Sequence, residues 1–184
     1  MPDTWTGFWV GILATFVLAV IIDRSLLWII PRIASEHAIA IVRRRAGGVN
    51  RLFFHGLNTP ANCRTPLSTA DALMTLCPYD VTNGPLRIRV TIPEAAYWSI
   101  CCYGPNADNA FAMNDLQVIE RVGRNAVFVL HLESLSSVVA ADELAVPLKS
   151  ARGMLLMRTA VADPQIPRSL EALESIQHRA CIVD

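Results

Sequence analysis

Eighteen consecutive residues, Trp5 to Ile22, carry no charge. At about 1.5 Å per helical residue they reach about 27 Å, close to the hydrocarbon thickness of a bilayer, so the run predicts one membrane-spanning helix. Trp5 and Trp9 sit at one end and Trp28 lies past the other. Indole rings favour the membrane interface, and about 35 Å of helix between Trp5 and Trp28 lets them bracket the apolar core as anchors. Asp23 and Arg24 interrupt the pattern and read as an interfacial pair whose side chains snorkel outward. Gly7 and Gly11 form a small-x-x-x-small pair, a face suited to packing against another membrane helix. From Ile33 to Arg45 the apolar positions fall on adjacent helical stripes (Ile33, His37, Ile41 and Ala34, Ala38, Val42). This predicts a juxtamembrane amphipathic helix lying on the bilayer, with Arg43, Arg44 and Arg45 meeting lipid headgroups, ended by Gly47-Gly48.

Beyond residue 46 the period changes. Leu86, Ile88, Val90 and Ile92 alternate with Arg87, Arg89 and Thr91, the pattern of a half-buried antiparallel strand, and Asn83-Gly84-Pro85 marks a turn before it. Ala96 to Tyr103 is aromatic and strand-prone, Ala126 to Leu132 is apolar on both faces like a central strand, and Gly153 to Val161 is another buried run. Gln117 to Val122 and Ser136 to Ala140 are weaker strand segments. Two helices are expected: Thr69 to Leu76 capped by Ser68, and one opened by Asp163-Pro164 with Leu170, Leu173 and Ile176 on one face. The expected fold is mainly β: a small antiparallel β-sandwich or partly open barrel with one or two short helices, preceded by one N-terminal transmembrane helix. The expected division is 1–46 for the membrane and juxtamembrane helices and 47–184 for a β-rich extramembrane domain.

Charge sharpens this division. Residues 1–46 hold five arginines against three acids, and residues 47–184 hold eleven basic against thirteen acidic residues. The domain therefore lacks a basic footprint, which argues against nucleic acid as a partner. The n-region Met-Pro-Asp-Thr has no Lys or Arg, and the first small-x-small site, Ala38-Ile39-Ala40, lies well past the apolar run. A retained anchor is expected rather than a cleaved signal. Arginines only after the span put the domain in the cytoplasm by the positive-inside rule, although Arg43 begins about twenty residues beyond Ile22, at the edge of the rule's reach. The five cysteines (Cys63, Cys77, Cys101, Cys102 and Cys181) form no C-x-x-C and read mainly as small buried hydrophobes. One structural disulfide stays open for a periplasmic domain.

The stretch from Cys77-Pro78-Tyr79-Asp80 through Asn83-Gly84-Pro85-Leu86-Arg87-Ile88, Tyr97-Trp98-Ser99-Ile100 and Tyr103 to Asp108-Asn109-Ala110-Phe111-Ala112-Met113-Asn114-Asp115 is distinctive. It resembles the bacterial family catalogued as domain of unknown function 1254, above all its short, single-span members. The likeness extends to Asn50-Arg51, Pro66, Leu156-Met157-Arg158-Thr159 and Asp163-Pro164. The resemblance implies a β-sandwich module in a periplasmic or exported setting. It also implies a sister module, domain of unknown function 1214, which longer relatives carry in the same chain and which a short one would meet on another chain. No catalytic residues come with it. The uncharged N-terminus and the arginine triplet depart from many relatives. With the resemblance given the greater weight, the expected location is the bacterial inner membrane, single-pass, with a periplasmic domain; the positive-inside rule favours the cytoplasm.

Candidate chemistry is sparse. Asp108, Asn109, Asn114 and Asp115 group short carboxylates and amides that suit a polar ligand or a cation, or equally turns that bond their own backbone. Trp98, Tyr103 and Phe111, with Tyr79 and Tyr97, suit an apolar ligand pocket or a plain core. His131 and Glu133 face the same way on a strand but lack a third metal ligand, and His55 sits in a loop. Arg87 and Arg89 read as a solvated face or a site for an anion or partner carboxylate. No catalytic residue, metal site or cofactor is assigned, and G-x-S-x-G, G-x-G-x-x-G, P-loop and H-E-x-x-H signatures are absent. Three readings follow. The first is an accessory or scaffolding subunit of an inner-membrane assembly, whose partners are the lipid bilayer and other membrane subunits. The second is a tethered binding protein for an apolar or lipid-like ligand, requiring a cavity of a few hundred Å³ between the sheets. The third is an enzyme, requiring Asp108, Asp115 or His131 to converge in one concave site.

Overall fold

The apolar run is the first half of one continuous helix, α1 (Thr4–Ala46). The computed structural model describes residues 4–57, 71–94, 96–134, 139–162 and 167–183. No break separates the span from the segment expected to lie on the bilayer, and Pro31 sits inside α1 without ending it. The helix ends as its sequence requires. Gly47 takes φ 76°, the Gly48 N–H donates to Arg43 O at 2.9 Å, and the Gly47 N–H donates to Arg44 O at 3.4 Å. This pair of bonds satisfies carbonyls that the last helical turn leaves open.

Nine strands follow: β1 (Phe53–His55), β2 (Ala72–Asp80), β3 (Leu86–Thr91), β4 (Trp98–Tyr103), β5 (Asn109–Asn114), β6 (Asn125–Leu132), β7 (Glu143–Leu148), β8 (Arg152–Ala160) and β9 (Cys181–Val183). They build a five-stranded sheet, β1-β2-β8-β4-β5, and a four-stranded sheet, β7-β6-β3-β9. Every pairing is antiparallel except β6 with β7, so the expected antiparallel sandwich is mixed at one edge. The alternation read from Leu86 to Ile92 becomes β3, with Leu86, Ile88 and Val90 turned into the core. The run at Ala126–Leu132 becomes β6, flanked on both sides, and Phe128, Val129 and Leu130 are fully buried. Inner-face residues of the two sheets, including Tyr79, Ile100, Leu155, Ile88, Phe128 and Val146, form one core.

Three expectations need correction. Residues 69–70 and the Ser68 cap lie outside the described residues, but from Ala72 on that expected helix is strand. Ala72–Leu76 belongs to β2, which pairs at all nine positions with β8 and is buried on both faces. Burial on both faces erases the alternation that would mark it, so helical propensity misleads. Gln117–Val122 is not a strand but most of helix α2 (Asp115–Val122). The Asn114 side chain accepts from the Gln117 N–H, and the Gln117 side chain accepts from the Asn114 N–H, a reciprocal cap that starts the helix. Edge strand β7 was not foreseen, because Pro147 argues against a strand interior and is tolerated at an edge. Residues 136–138 of the weak Ser136–Ala140 segment and the Asp163-Pro164 opening lie outside the described residues. Helix α3 (Pro167–Gln177) follows, with Leu170, Leu173 and Ile176 half-buried as expected.

The helix and the sandwich are joined at a defined clamp. α1 touches β2 and β1, and its half-buried positions Ser35, Ile39, Val42 and Ala46 follow i, i+4, i+7, i+11. That stripe lays the last three turns along the outer face of the five-stranded sheet. Asn50 (φ 53°) then acts as a short strand substitute. Its Oδ1 accepts from the Asp80 N–H at 2.7 Å, its Nδ2 donates to Asp80 O at 2.8 Å, and its own N–H donates to Pro78 O at 2.7 Å. Asn50→Ala removes both side-chain bonds and leaves Asp80 backbone groups unpaired, at an expected cost of about 2 kcal/mol. Hydrogen exchange checks this: the amides of Gly48, Asn50 and Asp80 should lose protection while those of β6 keep theirs. Unchanged exchange at Asp80 would remove the clamp from the account.

Candidate functional site

The feature most unlike a soluble domain is the surface of α1. Trp5, Trp9, Phe16 and Trp28 are 73%, 62%, 65% and 65% exposed, and the 18-residue window of mean hydropathy 2.1 packs against nothing in the chain. The helix is long and apolar enough to cross a membrane. No heavy atom outside the helix lies within 4 Å of where a Cβ would stand on Gly7 or Gly11, so that face is open. The Arg32 guanidinium stacks on Trp28 at 4.5 Å, which covers part of the ring and leaves its charge at the end of the apolar surface. Arg43, Arg44 and Arg45 are exposed and stand about 20 Å beyond Ile30 along the axis.

The sandwich interior is filled. Tyr79 is 2% and Trp98 is 4% exposed, and the Trp98 ring lies 6.1 Å from that of Phe128. Beside Trp98 the space between the sheets amounts to a cavity of about 10 Å³, room for one water at most. Gln177 at the end of α3 closes that side by donating to Thr75 Oγ1 at 2.8 Å. The cavity of a few hundred Å³ that an apolar ligand needs is therefore not found between the sheets among the described residues, and the expected aromatic pocket is core. A recess of about 350 Å³ beside Leu132, Glu133 and Lys149 is an open surface feature. Phe111 packs against the core from β5, while Tyr103 lies on the outer face of its sheet. Burial, with Cys101 beside it, raises the Tyr103 phenol.

The polar block does not converge. Asp108 precedes β5 and Asp115 follows it, which sets them about 20 Å apart. Asp108 is exposed in a turn where its backbone carbonyl accepts from the Gly104 N–H, next to Ala107 at φ 62°. Asn109 is exposed at the start of β5, and Asn114 is spent on capping α2. His131 bonds the neighbouring Leu132 carbonyl through Nδ1 at 3.0 Å, and Glu133 is exposed. His55 is half-buried in β1 beside Phe53. Among the described residues no three His, Cys, Asp or Glu side chains approach closely enough to hold a metal. Arg87 reaches Glu143 on β7 at 3.2 Å, an internal carboxylate, and Arg89 is exposed.

The described cysteines Cys77, Cys101, Cys102 and Cys181 are free; Cys63 lies outside the described residues. As expected for adjacent strand residues, Cys102 points inward and Cys101 outward. Burial pushes the Cys77 thiol up to about 12 and raises that of Cys102, so both stay neutral and act as apolar filling. Burial also raises the Tyr79 phenol, whose O–H donates to Tyr103 O. Asp80 is the exception: bonds from the Thr82 hydroxyl and N–H, then the Arg152 guanidinium at 2.8 Å, hold its carboxyl below the usual range. That charge sits at the clamp and not in a concave site. The clamp itself was missed in the sequence, although a non-glycine that tolerates the left-handed region just after Gly-Gly was its available signal.

Comparison with known proteins agrees with this picture. A family model described as "Protein of unknown function (DUF1254)" matches residues 49–182. The fold is similar to the crystal structure of the VPA0106 protein from Vibrio parahaemolyticus, at 15% identity and TM-score 0.63, covering 85% of this chain and 36% of that one. It is also similar to an uncharacterised protein from Burkholderia cenocepacia, at 13% identity and TM-score 0.50, covering 78% of this chain and 39% of that one. At these identities the likeness shows the fold alone. The chain thus spans little more than a third of the length of either solved relative. No curated protein matches.

Proposed function

The chain belongs to the DUF1254 family, and on that premise we propose that it is a membrane-anchored accessory or scaffolding subunit of a bacterial inner-membrane assembly. Its sandwich pairs with a sister β-module on another chain, of the domain of unknown function 1214 type. The observation that carries this reading is the division of α1: an exposed apolar first half, and a last three turns packed on and clamped to a sandwich whose interior is full. Such a unit holds a module at a set place beside a bilayer, and the space beside Trp98 among the described residues is too small for a ligand. The solved relatives, more than one and a half times as long, support the idea of a module that works joined to more structure. The domain is placed on the periplasmic side, and a reporter fused to the C-terminus of the chain in intact cells tests that choice. The assembly itself is tested by native extraction in mild detergent followed by cross-linking mass spectrometry. A complex larger than the monomer, with a reproducible partner chain, is expected. Migration as a lone monomer in every detergent would end the proposal.

A further inference from the structure

The sandwich carries few large apolar side chains in the open. Among its described residues these are Val49, Tyr97 and Leu116, at 42%, 57% and 72% exposure. Two of the three share one corner. Tyr97 immediately precedes β4, Leu116 lies in the first turn of α2, and Ser99 pairs with Asn114 between them.

The height of that corner follows from the clamp. Asn50 binds Asp80, so the end of α1 is level with the C-terminal end of β2. From there the helix runs back along β2 and β1. The nine residues of β2 rise about 26 Å, which equals about 18 residues of helix, so Ala72 stands level with the region of Trp28. Tyr97 is at the same level, because its carbonyl accepts from the Ala160 N–H and Ala160 pairs with Ala72. Here the exposed apolar surface of α1 ends, with Ile30 and Ile33 at 58% and 62% exposure. Three strand spacings, about 14 Å, separate β2 from β5, which keeps the corner beside the point where the helix leaves the bilayer.

We infer that the Tyr97–Leu116 corner rests in the bilayer interface and makes a second, lateral contact between this domain and the membrane. Tyrosine at such a depth places its ring among the acyl–headgroup boundary and its hydroxyl in water. The exposed side chains of the corner itself, Tyr97 and Leu116, make the contact apolar in character, and the nearby Arg124 is engaged with Glu94 and the Pro93 carbonyl. Two contacts, α1 and this corner, restrict the tilt of the sandwich against the bilayer plane, which one helix alone leaves free. The inference rests on the reading of α1 as a membrane anchor.

The test uses the full chain in liposomes of neutral phospholipid, with the photocross-linker p-benzoylphenylalanine placed singly at Ile12, Tyr97, Leu116 or Asn83. Asn83 is exposed in the turn at the opposite end of the sandwich. Lipid adducts by mass at Tyr97 and Leu116, about tenfold above those at Asn83 and unchanged in high salt, are expected. Adducts at Ile12 but not at Tyr97 or Leu116 would overturn this inference and leave the anchor intact. No lipid adduct at Ile12 would overturn the anchor and the inference with it. Adducts to a second copy of the chain at Tyr97 and Leu116 would assign the corner to self-association instead.

Discussion

Gly153→Ala is expected to destabilise the sandwich strongly by forcing β8 away from β4. A Cβ at Gly153 would stand 2.1 Å from the Tyr103 carbonyl oxygen and 2.3 Å from the Tyr79 hydroxyl. Neither atom has an easy escape: Tyr103 O belongs to the β4 backbone, and Tyr79 is a core ring whose O–H donates to that same oxygen. The β8 strand must therefore move away from β4, and it is the strand on which both β2 and β4 depend. Overpacking of this kind costs about 3 kcal/mol or more, a large part of the stability of a domain this size. A fall in Tm on the order of 10 °C is expected by calorimetry or circular dichroism. Combining the change with Tyr79→Phe should recover only part of the loss, because the carbonyl contact remains. Gly104→Ala is the informative control. Its Cβ would meet the Asp108 carboxylate at 2.6 Å, the far end of an exposed side chain that can swing aside. If Gly153→Ala melted within about 2 °C of the parent, the close packing of Tyr79, Tyr103 and Gly153 would be disproved.

Val17→Arg is expected to release the chain from the membrane without unfolding the domain. Val17 lies midway between the tryptophans Trp5 and Trp28 and is exposed on α1. Arginine at the centre of a spanning helix costs about 3 kcal/mol in insertion, or roughly a hundredfold in the inserted fraction. Alkaline extraction of membranes should find the variant largely in the soluble fraction and a Val17→Leu control in the pellet. The melting of the sandwich should be unchanged, since this half of α1 packs against nothing in the domain. Equal retention of Val17→Arg and Val17→Leu would contradict a spanning role for α1.

The elements legible along the chain were those that a single face reveals. Leu86, Ile88 and Val90 alternate because β3 has one dry face and one wetter one, and the apolar run at Trp5–Ile22 is long enough to need no partner in the chain. Ala72–Leu76 was misread because Ala, Leu and Met favour helix locally, while pairing with β8 and burial on both faces make the segment a strand. In Gln117–Val122 the decisive feature was the Asn114–Gln117 cap, a pairing three residues apart that outweighs a short apolar pattern. The polar block from Asp108 to Asp115 looked like one site because its members are near in sequence. An extended strand between them separates its ends, and its amides serve a turn and a helix cap.

By itself, then, the sequence determined the long apolar helix, the β class of the domain and the family, all properties carried by runs, alternation or contiguous motifs. The tertiary structure alone decided that Trp98 and Tyr79 fill a core, that Asn50 clamps the helix to β2, and that Tyr97 and Leu116 stand exposed at the level where the apolar helix surface ends. These depend on residues far apart in the chain meeting across β2, β8 and β4. The physical reason is that apolar patterning states which side chains avoid water, whereas the packing partner, and hence the difference between a filled core and a binding pocket, is set only when the sheets close on each other.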